Sequence, residues 1–167
     1  VEIARELRDQ RGLASRLANL GNACVALKDY VAAVTHFKES VEIYRSLGET
    51  TELALRLGII GNLYAELGRS TSDAGQAAEY FAGALDHYLQ TLAQARELED
   101  VITEAQLLRS IGNVLIHVGR FETALEHLHT AYQMFEVLGL EEQRDETTRS
   151  IRLARAYHAH LKKSPGP

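Results

Sequence analysis

The sequence predicts an all-α chain built from repeated pairs of antiparallel helices, and three observations predict it. A short triplet recurs as Leu20-Gly21-Asn22, Ile60-Gly61-Asn62 and Ile111-Gly112-Asn113, with 40 residues between the first two glycines and 51 between the last two. Between these triplets the apolar residues follow helical spacing. The only prolines, Pro165 and Pro167, lie in the last three residues, so proline breaks no helix upstream of them.

The repeat unit is 40 residues. A shift of that size also carries Val1-Glu2-Ile3-Ala4-Arg5 onto Val41-Glu42-Ile43-Tyr44-Arg45, and Arg109-Ser110-Ile111 onto Arg149-Ser150-Ile151. Each unit reads as a first helix (9–27, 49–67, 100–118) and a second (30–47, about 77–98, 121–138). Lys28-Asp29, Gly68 and Gly119-Arg120 mark turns between partners. Gly48 and Gly139 follow the last apolar residue of two second helices, where a left-handed cap favours glycine. The second helices carry Tyr30, Val34, Phe37, Val41 and Tyr44; then Phe81, Leu85, Tyr88, Leu92 and Ala95; then Phe121, Leu125, Leu128, Tyr132 and Phe135. About eleven surplus residues fall in the middle unit near 69–78, a small polar stretch suited to a loop or a loosely packed helix extension. The expected organisation is therefore one domain over 1–162: a partial repeat 1–8, repeats 9–48, 49–99 and 100–139, and a capping helix 140–162. A flexible tail over 163–167 follows. The chain opens on Val1, as expected of a piece of a longer protein.

A glycine inside a helix costs about 1 kcal/mol relative to alanine. Gly21, Gly61 and Gly112 repeat that cost at one register, which demands a packing reason. Ala33, Ala84 and Ala124 recur on the second helices, so glycine against alanine is the expected close approach. The large apolar residue Leu57, then Ile60-Gly61 and Tyr64, followed by Ala84 and Tyr88, resembles the tetratricopeptide repeat (TPR). The resemblance covers residues 1 to about 161. The 40-residue unit and its Leu-Gly-Asn triplet look most like the long-repeat subclass of Pins-type adaptors and of bacterial TPR signalling domains. The pattern departs in lacking the large-slot tryptophan and the closing proline. The resemblance implies a right-handed TPR-like superhelical solenoid. In the last element Arg152 fills the glycine slot and Arg155 the aromatic slot, which suits a solvent-facing cap.

Composition narrows the function. The net charge is −5 and the pI near 5.8, against the basic face that nucleic-acid binding needs. No apolar run is long enough to span a bilayer, and a single Cys24 fits a reducing compartment; the expected location is cytoplasmic. His36, His87 and His127 share one slot in successive units, too far apart for one metal ion. No phosphate loop and no acid–base carboxylate pair is evident. The expectation is a non-enzyme without cofactor or metal.

Asn22, Asn62 and Asn113 carry the sharpest functional signal. Asparagine is a poor helix former, and three at one register imply a shared role. Either the amides bond backbone between repeats, or they line a concave groove and bond a peptide, as in the families resembled. Arg109, Arg149, His117, Glu66 and Tyr157 lie one helical turn from this register, on the same stripe. The expected function is a protein–protein interaction scaffold holding a protein or peptide, with neither nucleic acid nor membrane as partner. Alternatives are a regulatory or sensory domain of a larger bacterial signalling protein, and a self-assembly module. Ile3, Leu7, Leu13 and Leu17 mark an N-terminal edge through which the chain is expected to dimerise.

Overall fold

The computed structural model describes residues 2–163, and side chains over 9–161. Among the described residues there are seven helices and no strand: α1 (Glu2–Ala26), α2 (Tyr30–Leu47), α3 (Thr50–Ser70), α4 (Ala74–Glu97), α5 (Val101–His117), α6 (Phe121–Val137) and α7 (Glu141–Lys163). They form two compact units, residues 1–94 and 95–167. The side chains of Ile3 and Leu7, and residues 164–167 of the expected tail, lie outside what is described.

The turns follow local chemistry. Asp29 accepts from the Ala32 N–H at 3.1 Å, Asp73 from Gln76 at 2.7 Å and Asp100 from Thr103 at 3.1 Å, each satisfying an orphan donor of the helix it opens. The Thr103 bonds hold the Asp100 carboxyl below its ordinary range. Gly48 and Gly139 take the left-handed conformation expected of them, with φ of 69° and 70°. Glu99 occupies the same slot in the middle unit at φ 55°.

Three expectations need correction. The helix predicted to begin at residue 9 is part of α1, which runs unbroken from Glu2. A turn there would orphan helical carbonyls and N–H groups. Gly68 is no turn. It is buried inside α3, where an added Cβ would lie 2.7 Å from the Phe81 ring. The packing glycines also face side chains larger than alanine, although the Ala124 carbonyl does lie 3.2 Å from where a Gly112 Cβ would be. A Cβ on Gly21 would meet Phe37 at 2.7 Å, on Gly61 Tyr88 at 2.7 Å, and on Gly112 Leu128 at 2.6 Å. Each glycine is thus a notch for a large side chain one turn beyond the alanine. Ala33, Ala84 and Ala124 are themselves fully buried.

The surplus of the middle unit becomes helix. Counted from the packing glycine, α3 ends at Gly61 plus nine, whereas α1 and α5 end at plus five: four extra residues. Counted back from the buried alanine, α4 starts at Ala84 minus ten, whereas α2 and α6 start at minus three: seven extra. Four and seven account for the eleven, and each connection stays at three residues (27–29, 71–73, 118–120). Gly68 against Phe81 repeats Gly61 against Tyr88 seven residues along each helix, so close packing continues into the extension.

In the first unit Ala18, Val34, Phe37, Val41, Leu57, Ile60 and Leu63 form a core between α1, α2 and α3. Ser40 adds a buried hydrogen bond to the Ala14 carbonyl at 2.8 Å. In the second unit Leu108, Ile111, Leu115, Leu128, Phe135 and Ile151 are buried among α5, α6 and α7. α7 packs on α6 through Thr147, Ile151 and Ala154, while Arg152 and Arg155 are exposed.

Candidate functional site: the asparagine register

The packing glycine faces the second helix, and the next residue is turned about 100° from it. Asn22 and Asn62 are accordingly exposed and Asn113 is half-buried. Within the first unit the Tyr88 hydroxyl donates to Asn62 Oδ1 at 2.7 Å. One side chain therefore fills the Gly61 notch with its ring and reaches the neighbouring amide with its hydroxyl. The residues at the Tyr88 slot in the other repeats are Phe37 and Leu128, which have no hydroxyl to offer. Asn22 and Asn113 make no hydrogen bond among the described residues. One turn beyond Asn62, Glu66 is exposed and pairs with Arg69 at 2.5 Å.

Lys38 and Tyr64 also meet in this unit. Lys38 Nζ is 2.7 Å from the Tyr64 hydroxyl and 5.2 Å from the ring centre. Those two distances place the ammonium beyond the hydroxyl oxygen, so the contact is a hydrogen bond at the ring edge rather than a cation over its face. His87 stacks on Tyr64, with ring centres 5.6 Å apart at 10°. Burial pushes its imidazole below the ordinary value, Asp86 opposing and Lys38 and Arg45 assisting. The Nδ1 atoms of His36 and His87 are buried without a hydrogen-bond partner.

In the second unit α5 presents Arg109, Asn113 and His117 on one stripe. Arg109 is half-buried, ion-paired with Glu146 of α7, with Cζ 5.8 Å from the Phe135 ring centre; burial lowers its pKa from the ordinary value. Its charge is thus engaged within the fold. His117 ends α5 and is exposed. Forty residues on, α7 presents Arg149, Leu153 and Tyr157. Arg149 is exposed, and Tyr157 stacks on Phe121 at 5.9 Å and 20°. Leu153 occupies the asparagine slot and is exposed. It was absent from the expected site because a leucine in a helix reads first as core. The shift of 40 from Asn113 was the signal that could have found it. An open hollow of about 360 Å³ adjoins, lined by Arg120, Phe121, Glu122, His158 and Leu161 among others. Asn22, Asn62 and Glu66 lie in the first unit; Arg109, Asn113, His117, Arg149 and Tyr157 lie in the second.

These groups can form hydrogen bonds, ion pairs and apolar contacts. Among the described residues no three His, Cys, Asp or Glu side chains converge as metal ligands. No described helix is long and apolar enough to cross a membrane.

No protein-family model matches the chain, and no curated protein matches it. Solved structures do. The N-terminal domain of stress-induced protein-1 from C. elegans superposes with a TM-score of 0.63 at 18% identity, covering 87% of this chain and 97% of that one. The C-terminal TPR-containing domain of a Plasmodium falciparum FK506-binding protein does so with a TM-score of 0.64 at 15% identity, covering 95% and 96%. The all-α TPR-like fold follows from these likenesses together with the helical architecture.

Proposed function

We propose that this chain is a protein-interaction scaffold that holds a peptide or partner protein along the first-helix faces marked by Asn22, Asn62 and Asn113, binding rather than catalysing. Arg109, Arg149, His117, Glu66 and Tyr157 flank that register. The long-repeat Leu-Gly-Asn pattern supports an adaptor, and the single Cys24 suits a reducing, cytoplasmic setting. One observation carries the reading. An internal bond accounts for the asparagine only in the middle unit, through Tyr88. Phe37 and Leu128 cannot make that bond, yet the asparagine recurs beside them. A helix-disfavouring residue kept at one register without a common internal partner is suited to bonding something outside the chain.

The test is selection of binders from a phage-displayed random peptide library on the intact chain, followed by titration of the enriched peptides. Asn62→Ala and Asn113→Ala should each weaken binding severalfold while leaving the melting temperature nearly unchanged. Failure to enrich any peptide, or affinity that survives both substitutions while stability falls, would assign the asparagines to the fold.

A second reading, self-association through the N-terminal edge, has its own observation. Leu20 is 52% exposed on α1, whereas Ile60, its counterpart on α3, is 0% exposed beneath α2. Leu13 is exposed on the same face and Leu17 half-buried. Uncovered repeat faces favour association. Sedimentation equilibrium of wild type and Leu20→Glu tests it: a dimer that dissociates on substitution supports the reading, and a monomer throughout ends it.

A further inference from the structure

We propose that the outer face of α7 is a docking site for an acidic amphipathic helix. This rests on the scaffold reading above and names the chemistry of one partner. Arg149, Leu153, Tyr157 and Leu161 follow one another at steps of four and so share one stripe, Arg152 and His160 lie beside it, and all six are exposed. The stripe lies off the face that α7 buries against α6 through Thr147, Ile151 and Ala154. Leu153, Tyr157 and Leu161 are 47%, 51% and 59% exposed. Successive members are four residues, about 6 Å, apart, the spacing at which a partner helix presents its own anchors.

Charge selects the partner. From Thr147 to Lys163 α7 has no acidic residue and carries Arg149, Arg152, Arg155, Lys162 and Lys163, in a chain of net charge −5. The macrodipole explains cations in a last turn, but Arg149 and Arg152 sit in the middle of the helix. Elsewhere in this unit Arg96 pairs with Glu104, Arg109 with Glu146 and Arg144 with Asp145. Arg149 and Arg152 make no ion pair or hydrogen bond among the described residues, and they stand immediately beside the apolar strip. Two uncompensated guanidiniums against three apolar side chains complement a helix with leucines on one stripe and carboxylates at its edge. The Tyr157 ring is already held by its stack on Phe121, which lowers the ordering cost of using it as an anchor. A membrane surface fits less well, because α7 buries its other face and offers three large apolar groups, too few for an interfacial helix.

The probe is a fluorescein-labelled 18-residue helical peptide with leucines at i, i+4, i+7 and i+11 and flanking glutamates. Its controls have lysine for each glutamate, or alanine for each leucine. Anisotropy titration of the intact chain should give binding of the acidic peptide at least about tenfold tighter than either control. The double variant Arg149→Glu/Arg152→Glu, both positions exposed, should lose about tenfold for the acidic peptide and gain for the lysine peptide, with an unchanged thermal transition. Leu153→Ala should weaken binding about as much as the alanine peptide does. No binding, equal binding of acidic and basic peptides, or full affinity in the double variant overturns the proposal. So does preferential binding to vesicles of anionic phospholipid. Asn113→Ala separates this idea from the wider one: affinity lost there but kept in the double variant sinks the α7 site and leaves the asparagine register standing. The reverse pattern keeps the α7 site and places Asn113 outside it.

Discussion

In α5, Gly112 and Leu115 are buried where α6 packs; forty residues on, the same positions of α7 are Arg152 and Arg155, both exposed. Asn113 becomes Leu153 and His117 becomes Tyr157, while Arg109 and Arg149 keep their identity but not their circumstances. Arg109 is engaged by Glu146 and Phe135, whereas Arg149 faces solvent. One helical register therefore serves two ends. With a glycine notch and a large partner side chain it closes a helix pair; with arginine in the notch it is exposed among the described residues. α5 and α7 both pack against α6, but through different faces: α5 through Gly112, and α7 through Thr147, Ile151 and Ala154.

The sharpest way to break this contrast is to overfill the notch. A Cβ on Gly112 already meets Leu128 Cγ at 2.6 Å and the Ala124 carbonyl at 3.2 Å, and the carbonyl belongs to a backbone that cannot move aside. Gly112→Leu should cost about 3 kcal/mol by urea unfolding. Arg152→Leu at the equivalent exposed site should fall within about 0.5 kcal/mol of wild type. Similar losses from both would mean that α7 is packed as α5 is.

The two arginines give the next contrast. Glu146→Gln leaves the half-buried Arg109 guanidinium without its counter-charge, with an expected loss of about 1–2 kcal/mol. Arg149→Ala should be close to neutral in the same denaturation series. A neutral Glu146→Gln would show that the pair is a surface ion pair of little consequence.

The extended hairpin offers a smaller test within the first unit. Gly68→Ala gains helix propensity but presses on the Phe81 ring, for a net loss of about 1 kcal/mol. Gly75→Ala, exposed in the first turn of α4, should be nearly neutral. Equal effects would imply that the extension is loosely packed.

These glycines also mark what was legible in the sequence. The triplet register placed Gly21, Gly61 and Gly112 inside helices because the cost of helical glycine repeats there. Gly68 has no repeat partner and precedes a polar stretch, so it reads as a turn. Glycine serves both a left-handed cap and a close approach, and only the residue opposite decides between them. Phe81, seven residues before Tyr88, matched Gly68, seven after Gly61, and was the available clue. Glycine against alanine was an incomplete pairing, since Gly112 does lie near the Ala124 carbonyl but a larger side chain fills each notch; spacing along one helix does not fix the axial offset of its neighbour. The expected turn at Lys28-Asp29 is present, and Lys28 and Glu99 take positive φ of 60° and 55° without glycine. The asparagine register was legible as a pattern, but that Tyr88 reaches Asn62 depends on a hydroxyl meeting an amide across two helices.

The smallest expected effect is on pH dependence. Burial holds the His127 imidazole below its ordinary 6.5, with Glu126 opposing and Arg96 and Arg120 assisting. Between the folded and unfolded pKa values the unfolded chain binds more protons. The contribution is therefore complete above about pH 6.5 and is lost as the pH falls through the lower, folded value. His127→Gln should make the acid side of the stability profile shallower by less than about one bound proton. An unchanged slope would remove His127 from the titration.

The claim that the asparagine register is kept for a partner rather than for the fold is tested most directly by urea unfolding of the triple variant Asn22→Ala/Asn62→Ala/Asn113→Ala. Alanine gains roughly 0.5 kcal/mol of helix propensity at each site, and the lost Tyr88–Asn62 bond costs about 1 kcal/mol. The stability should therefore stay within about 1 kcal/mol of wild type. A loss of about 3 kcal/mol or more would mean that the asparagines hold the repeats together.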